Sequence, residues 1–157
     1  MRKVFSSLLV MGLLLGGIFQ QAQAQDKKLA FNLNIGAQTN SSFDAGFFRI
    51  TLGVGLDFLL GEKIIISPEF QSCFHDFETY LLNPGAILNL RFNNFFVGGG
   101  LILSFMYYEN DFENVQLLPK INAGYRSNYT KLTIYLIPPF KDFPREILLG
   151  ASIGIVF

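Results

Sequence analysis

Residues 146–157 read Glu-Ile-Leu-Leu-Gly-Ala-Ser-Ile-Gly-Ile-Val-Phe. Side chains alternate across a strand, so Ile147, Leu149, Ala151, Ile153, Ile155 and Phe157 share one face, and Leu148, Gly150, Ser152, Gly154 and Val156 the other. The first face is apolar throughout and closes on an aromatic ring at Phe157, while the second mixes aliphatic and small residues. Such an asymmetry suits a wall with hydrocarbon on one side and a narrow interior on the other.

The same period of two recurs upstream. Residues 29–38 place Leu29, Phe31, Leu33, Ile35 and Ala37 opposite Asn32, Asn34, Gly36 and Gln38. Residues 47–59 are the cleanest case, with Phe48, Ile50, Leu52, Val54, Leu56 and Phe58 on one side and Arg49, Thr51, Gly53, Gly55 and Asp57 on the other. Further alternating segments fall at about 63–74, 80–92, 95–108, 116–126 and 129–137, which with the last makes eight. A tilted strand needs roughly 9–11 residues to cross hydrocarbon, and these segments are of that size.

Composition agrees. Half of the chain is hydrophobic and 15% is charged, with 18 Phe, 15 Gly and no Trp. That apolar surface must be buried in a core or shown to lipid, where only helices and closed barrels satisfy their backbone groups. The alternation selects the barrel: the expected fold is all-β, an eight-stranded antiparallel up-and-down transmembrane β-barrel. A soluble sandwich or ligand-carrying barrel also alternates, but has no need of aromatics at both ends of its apolar face.

At the N-terminus, Arg2 and Lys3 precede an apolar run over residues 4–19 and the triplet Ala22-Gln23-Ala24. This is the layout of a secretory signal peptide cut after Ala24. Residues 1–24 are therefore expected to be removed and 25–157 to form the barrel domain. No cysteine lies near the cut, so a lipid anchor is not expected, and the single Cys73 allows no internal disulfide. A formal net charge of zero argues against nucleic acid or a polybasic membrane-surface role.

Junctions at residues 60–62, Asn93-Asn94 and Ser127-Asn128 are tight, whereas those at 39–46, 75–79, 109–115 and 138–145 are longer. Short periplasmic turns and longer outer loops are usual for an even barrel with both termini inside. In that orientation Phe58, Phe92, Phe95, Tyr125 and Phe157 ring the periplasmic rim, and Phe48, Phe74, Tyr80, Phe105 and Tyr107 the outer rim. Pro68, Pro84 and Pro119 interrupt strand segments, and bulges or irregular pairings that bend the wall are expected there, or else a shorter segment.

An eight-stranded barrel is only wide enough for side chains to fill, so the inward residues are expected to form a polar core. The inward charged set is Arg49, Asp57, Lys63, Glu69, Arg91, Lys120, Arg126 and Lys131, with Glu69 and Lys120 at similar mid-barrel height and able to pair across the lumen. The inward glycines Gly53, Gly55, Gly98 and Gly100 make room for larger neighbours rather than cradling phosphate. His75-Asp76, with Glu78 beyond, is the one cluster hinting at catalysis or metal binding; Ser72 and Ser104 are the nearest strand serines, and no motif joins them to it. No enzyme activity, metal or cofactor is expected.

Signal peptide, eight alternating segments, regular junctions and terminal Phe157 together resemble the small eight-stranded bacterial outer-membrane β-barrel family. The resemblance covers the whole of residues 25–157. It implies a Gram-negative outer-membrane location, contact with outer-membrane lipids, and Phe157 as the assembly signal read by the barrel-assembly machinery. A structural or surface-interaction role follows, with an envelope or extracellular partner meeting the loops. The alternatives are a narrow, porin-like pore or small-ligand conduit and, more remotely, a lipid-modifying barrel enzyme.

Overall fold

The computed structural model describes residues 29–43, 45–74, 80–108, 111–139 and 146–157. The expected signal peptide, residues 1–24, lies outside them. Eight strands follow in chain order: β1 (Leu29–Asn40), β2 (Arg49–Leu60), β3 (Ile64–Phe74), β4 (Tyr80–Phe92), β5 (Phe95–Tyr108), β6 (Asp111–Arg126), β7 (Thr130–Ile137) and β8 (Leu148–Val156). A 3-10 turn, Ala45–Phe47, lies between β1 and β2. Each strand pairs antiparallel with the next, and β1 closes on β8 from Asn32↔Val156 to Asn40↔Leu148. The sheet therefore has no edge at the seam, and the fold is the closed eight-stranded antiparallel barrel.

Parity divides the residues as the alternation requires. Asn32, Gln38, Thr51, Asp57, Gln71, Asn83, Asn89, Lys120 and Asn122 are buried inside, whereas Ile35, Ile50, Leu52, Leu88, Leu101, Ile134 and Ile153 are exposed on the outer wall. A water-soluble protein distributes these classes the other way round. Lipid covers such a wall without cost, and the closed ladder leaves little backbone unpaired within it.

The tight connections are 61–63, 93–94 and 127–129. Gly61 and Asn93 take positive φ, 67° and 57°, which these two residue types tolerate in narrow turns. The three turns lie at the same end of the barrel as Leu29 and Phe157, here the turn end; the opposite end is the loop end. Outward aromatics gather at both. Phe31 meets Phe157 and Phe95 meets Tyr125 at the turn end, with ring centroids 6.1 and 5.5 Å apart, and Phe74 meets Tyr80 at the loop end, 6.2 Å apart. The side chain of Tyr107 lies outside the described part.

The structure corrects or sharpens four details. The connection expected to be a long loop over 109–115 is mostly strand, since Tyr108 pairs Asp111 and Tyr107 pairs Phe112. Its polar residues read as loop, but backbone pairing does not require an apolar alternation. Secondly, of the outcomes expected at the prolines, the pairings show the irregular ladder and not the bulge. Pro68 keeps its pairing with β4 (Pro68↔Ala86), Pro84 with β3 and Pro119 with β5. On the other side of each the ladder is interrupted: β2–β3 skips from Gly55↔Glu69 to Phe58↔Ile66 in unchanged register, β4–β5 skips from Leu82↔Phe105 to Gly85↔Ile102, and β6–β7 pairing stops at Ile121↔Leu136. A missing N–H removes a rung without adding a residue. Among the described pairings the register shift falls between Ser104 and Met106 of β5.

Thirdly, Lys63 belongs to an exposed turn and not to the interior. Finally, the interior is not uniformly polar. Ile65, Ile87 and Phe96 are buried inside toward the turn end, and Ile102, Leu118, Tyr135, Ile137 and Leu148 form an apolar cluster toward the loop end. Large inward side chains are accommodated by inward glycines on the neighbouring strand. A Cβ at Gly150 would collide with the Tyr135 ring, and one at Gly124 with Phe96.

Candidate functional site

Among the described residues, the interior of the barrel holds the chemistry. Two clusters of struts cross it. Near the turn end, the fully buried Asp57 of β2 receives Lys131 Nζ of β7 at 3.0 Å on Oδ1 and 3.2 Å on Oδ2. Arg126 Nε of β6 lies 3.5 Å from Oδ2. Ser67 Oγ donates to Asp57 Oδ1 at 2.7 Å and accepts from Asn89 Nδ2 at 3.3 Å. Lys131 also sits 5.6 Å from the centre of the Phe96 ring. Asp57 thus carries two cations and a hydroxyl, which is what a carboxylate needs to stay charged out of water.

The second cluster lies at mid-height. Lys120 Nζ of β6 donates to Glu69 Oε1 of β3 at 2.5 Å and to Gln71 Oε1 at 3.0 Å, and sits 4.3 Å from the centre of the Tyr135 ring. Gln71 Nε2 donates to the Tyr135 hydroxyl at 2.6 Å, and that hydroxyl donates to Gln38 Oε1 at 3.2 Å. Asn83 Nδ2 reaches Cys73 Sγ at 3.4 Å. The network ties β3 to β6 and β7 on the far wall, so it braces the barrel across its diameter.

Between the clusters is a cavity of about 30 Å³, lined by Asn34, Glu69, Gln71, Lys120, Asn122, Lys131 and Tyr135 among others. This is room for about one water molecule. Asn34 Oδ1 and Asn122 Oδ1, of residues on its lining, are buried without a protein partner. Among the described residues, the Ile102–Leu118–Tyr135–Ile137–Leu148 cluster lies on its loop side, and Asp57, Lys131, Ile65 and Phe96 lie on its turn side.

Of the charged residues singled out from sequence, Glu69 and Lys120 meet directly, and Asp57, Arg126 and Lys131 meet in the other cluster. The Asp57 cluster was not read as a unit from the sequence. A signal existed, because Arg126 and Lys131 flank one tight turn and pair across it, so two inward cations at one height demand an inward acid. Arg49, at the loop end, and Arg91, at the turn end, join none of these ion pairs; Arg91 Nε donates to the Asn93 carbonyl at 2.6 Å. His75, Asp76 and Glu78 lie outside the described residues. Ser72 is on the outer face opposite Leu52, and Ser104 is buried inside. No group of three metal-ligating side chains occurs among the described residues.

No protein-family model matches the chain, and no curated protein matches it in sequence. Its structure has clear likenesses. Neisserial surface protein A aligns with a TM-score of 0.53 at 10% identity, covering 82% of this chain and 94% of that one. The Yersinia pestis outer-membrane protein Ail, in a phospholipid bilayer nanodisc, aligns with a TM-score of 0.52 at 10% identity, covering 82% and 99%. A de novo designed barrel, TMB2.3, aligns as well, with a TM-score of 0.52 at 13% identity over 83% and 96%. That a designed chain fits as closely as natural ones shows that the likeness lies in the wall and not in an activity. The chain has the fold of the small eight-stranded outer-membrane β-barrels.

Proposed function

We propose that the protein is a non-conducting, non-enzymatic barrel of a Gram-negative outer membrane, exported by its signal peptide, which serves as a rigid wall carrying surface loops. The observation that supports this best is the packed interior: among the described residues, two ion-paired clusters and an aliphatic layer cross the lumen around a cavity of about 30 Å³. The apolar outer wall and its aromatic rims support placement in a bilayer, and the loop end is where an envelope or extracellular partner would meet it. Assembly through the barrel-assembly machinery, with Phe157 as the terminal signal, and contact with outer-membrane lipids belong to the same reading.

Conductance across planar bilayers tests it. The purified barrel should give no discrete steps, whereas stable steps in most insertions would establish the narrow pore instead. Lipid A from cells expressing the protein should keep its mass; a shifted mass would mean a lipid-modifying enzyme.

A further inference from the structure

Among the described residues, the turn end carries four basic side chains, Lys63, Arg91, Arg126 and Lys131, against Asp57, Glu62 and the terminal carboxylate of Phe157. Asp57 is shared by Lys131 and Arg126, and Arg91 lies close enough to Arg126 to repel it. Three inward cations therefore face one acid. Lys63, exposed in the β2–β3 turn, adds a fourth. Neither Lys63 nor Arg91 has a carboxylate within 4.0 Å among the described residues, and the nearby Glu62 forms no ion pair.

The backbone holds these two residues side by side. The backbone N–H of Arg91 donates to the Lys63 carbonyl at 2.7 Å, joining the first turn to the end of β4. The Arg91 Nε bond to the Asn93 carbonyl fixes the guanidinium against the second turn and leaves its terminal nitrogens free. Between the two turns opens a cleft of about 640 Å³ lined by Leu59, Gly61, Glu62, Lys63, Arg91, Phe92 and Asn93. Phe92 belongs both to this cleft and to the outward aromatic rim at the turn end. Aromatic rims mark the headgroup level of a bilayer, so the cleft, at the barrel rim between two turns, lies at the depth of lipid phosphates.

We propose that this cleft, through Lys63 and Arg91, binds the phosphate of an anionic glycerophospholipid in the leaflet that surrounds the turn end, with the lipid's chains running along the Phe92 side of the wall. The inference rests on the reading that the barrel crosses a membrane. Arg91 offers the planar fork that suits phosphate oxygens and Lys63 a mobile point charge. Glu62, on the cleft lining, opposes the anion and sets the strength of binding.

The native chain has no tryptophan, so Phe92→Trp gives a single reporter in the cleft. The refolded variant is placed in vesicles of phosphatidylcholine with a minor share of brominated phosphatidylglycerol or, in parallel, brominated phosphatidylcholine. A basic group near an anionic leaflet is worth about fivefold in binding, so the glycerol lipid should be preferred about fivefold or more. The preference should fall in 1 M salt, drop to near equality in Lys63→Gln/Arg91→Gln, and rise in Glu62→Gln. Phe48→Trp at the loop end should show none. Lys63→Gln alone, which leaves the Arg91 strut intact, should lose roughly half of the preference on a logarithmic scale and serves if the double variant does not refold. Equal quenching by both lipids in the unsubstituted cleft, or a preference left undiminished by Lys63→Gln, overturns the site. Loss of the preference on adding inorganic phosphate, but not chloride at the same ionic strength, would make free phosphate the occupant and also overturn it. Quenching by neither lipid would instead overturn the membrane reading itself.

Discussion

Replacing Asp57 by asparagine should cost more stability than any other single isosteric change in the interior. The carboxylate is fully buried and receives Lys131 at 3.0 and 3.2 Å, Arg126 at 3.5 Å and Ser67 at 2.7 Å. Asparagine keeps the shape but leaves Lys131 and Arg126, both nearly buried, facing no negative charge. Removing one partner of a buried pair typically costs ~3–5 kcal/mol. With a urea slope of about 2 kcal/mol per molar, the unfolding midpoint should fall by about 1.5–2.5 M. Glu69→Gln should cost less, about 1–2 kcal/mol, because Glu69 is 20% exposed and Lys120 retains Gln71 at 3.0 Å and the Tyr135 ring. Urea titration of the barrel refolded in lipid vesicles, followed by heat-modifiable gel migration, measures both. Asp57→Asn/Lys131→Met should recover part of the loss, since the double change strands one charge fewer. The reasoning fails if Asp57→Asn is no worse than Glu69→Gln, or if the double variant is simply the sum of its singles.

Three further outcomes follow from wall, terminus and orientation. Val54 is exposed on the outer face and Thr51 buried on the inner, so Val54→Arg should cost ~2–4 kcal/mol near the hydrocarbon midplane while Thr51→Ser stays within about 1 kcal/mol; equal tolerance in the same urea assay would place β2 the wrong way round. Deleting Phe157 removes its ring contact with Phe31 and the backbone pairing between the two residues, and should lower the folded fraction in outer membranes; unchanged yield and gel migration would refute its role at the seam. A protease site inserted within residues 138–147 should be cut on intact cells and one at Asn93-Asn94 protected until the outer membrane is opened; the reverse pattern would invert the topology.

The sequence by itself determined strand number, strand parity and which end carries the tight turns. These are local properties: a period of two is written in neighbouring residues, and one misplaced residue would turn an entire face from lipid to lumen. That is why Leu52, Val54, Ile134 and Ile153 could be assigned to the wall, and Thr51, Asp57 and Lys131 to the interior. The tertiary structure alone decided which interior groups meet. Asp57 and Lys131 are 74 residues apart, and their heights coincide only through the stagger that accumulates around a closed barrel. The same closure decided that Pro68 and Pro84 remove rungs without shifting register, since there the strand stays paired on its other side, and that the pairing of β6 with β7 stops short of Pro119. It also decided that the interior is part aliphatic. Inward residues of a narrow barrel pack against one another as a protein core does, and whether Ile102, Leu118 and Ile137 form one closing layer depends on the relative height of three strands, which no single strand records.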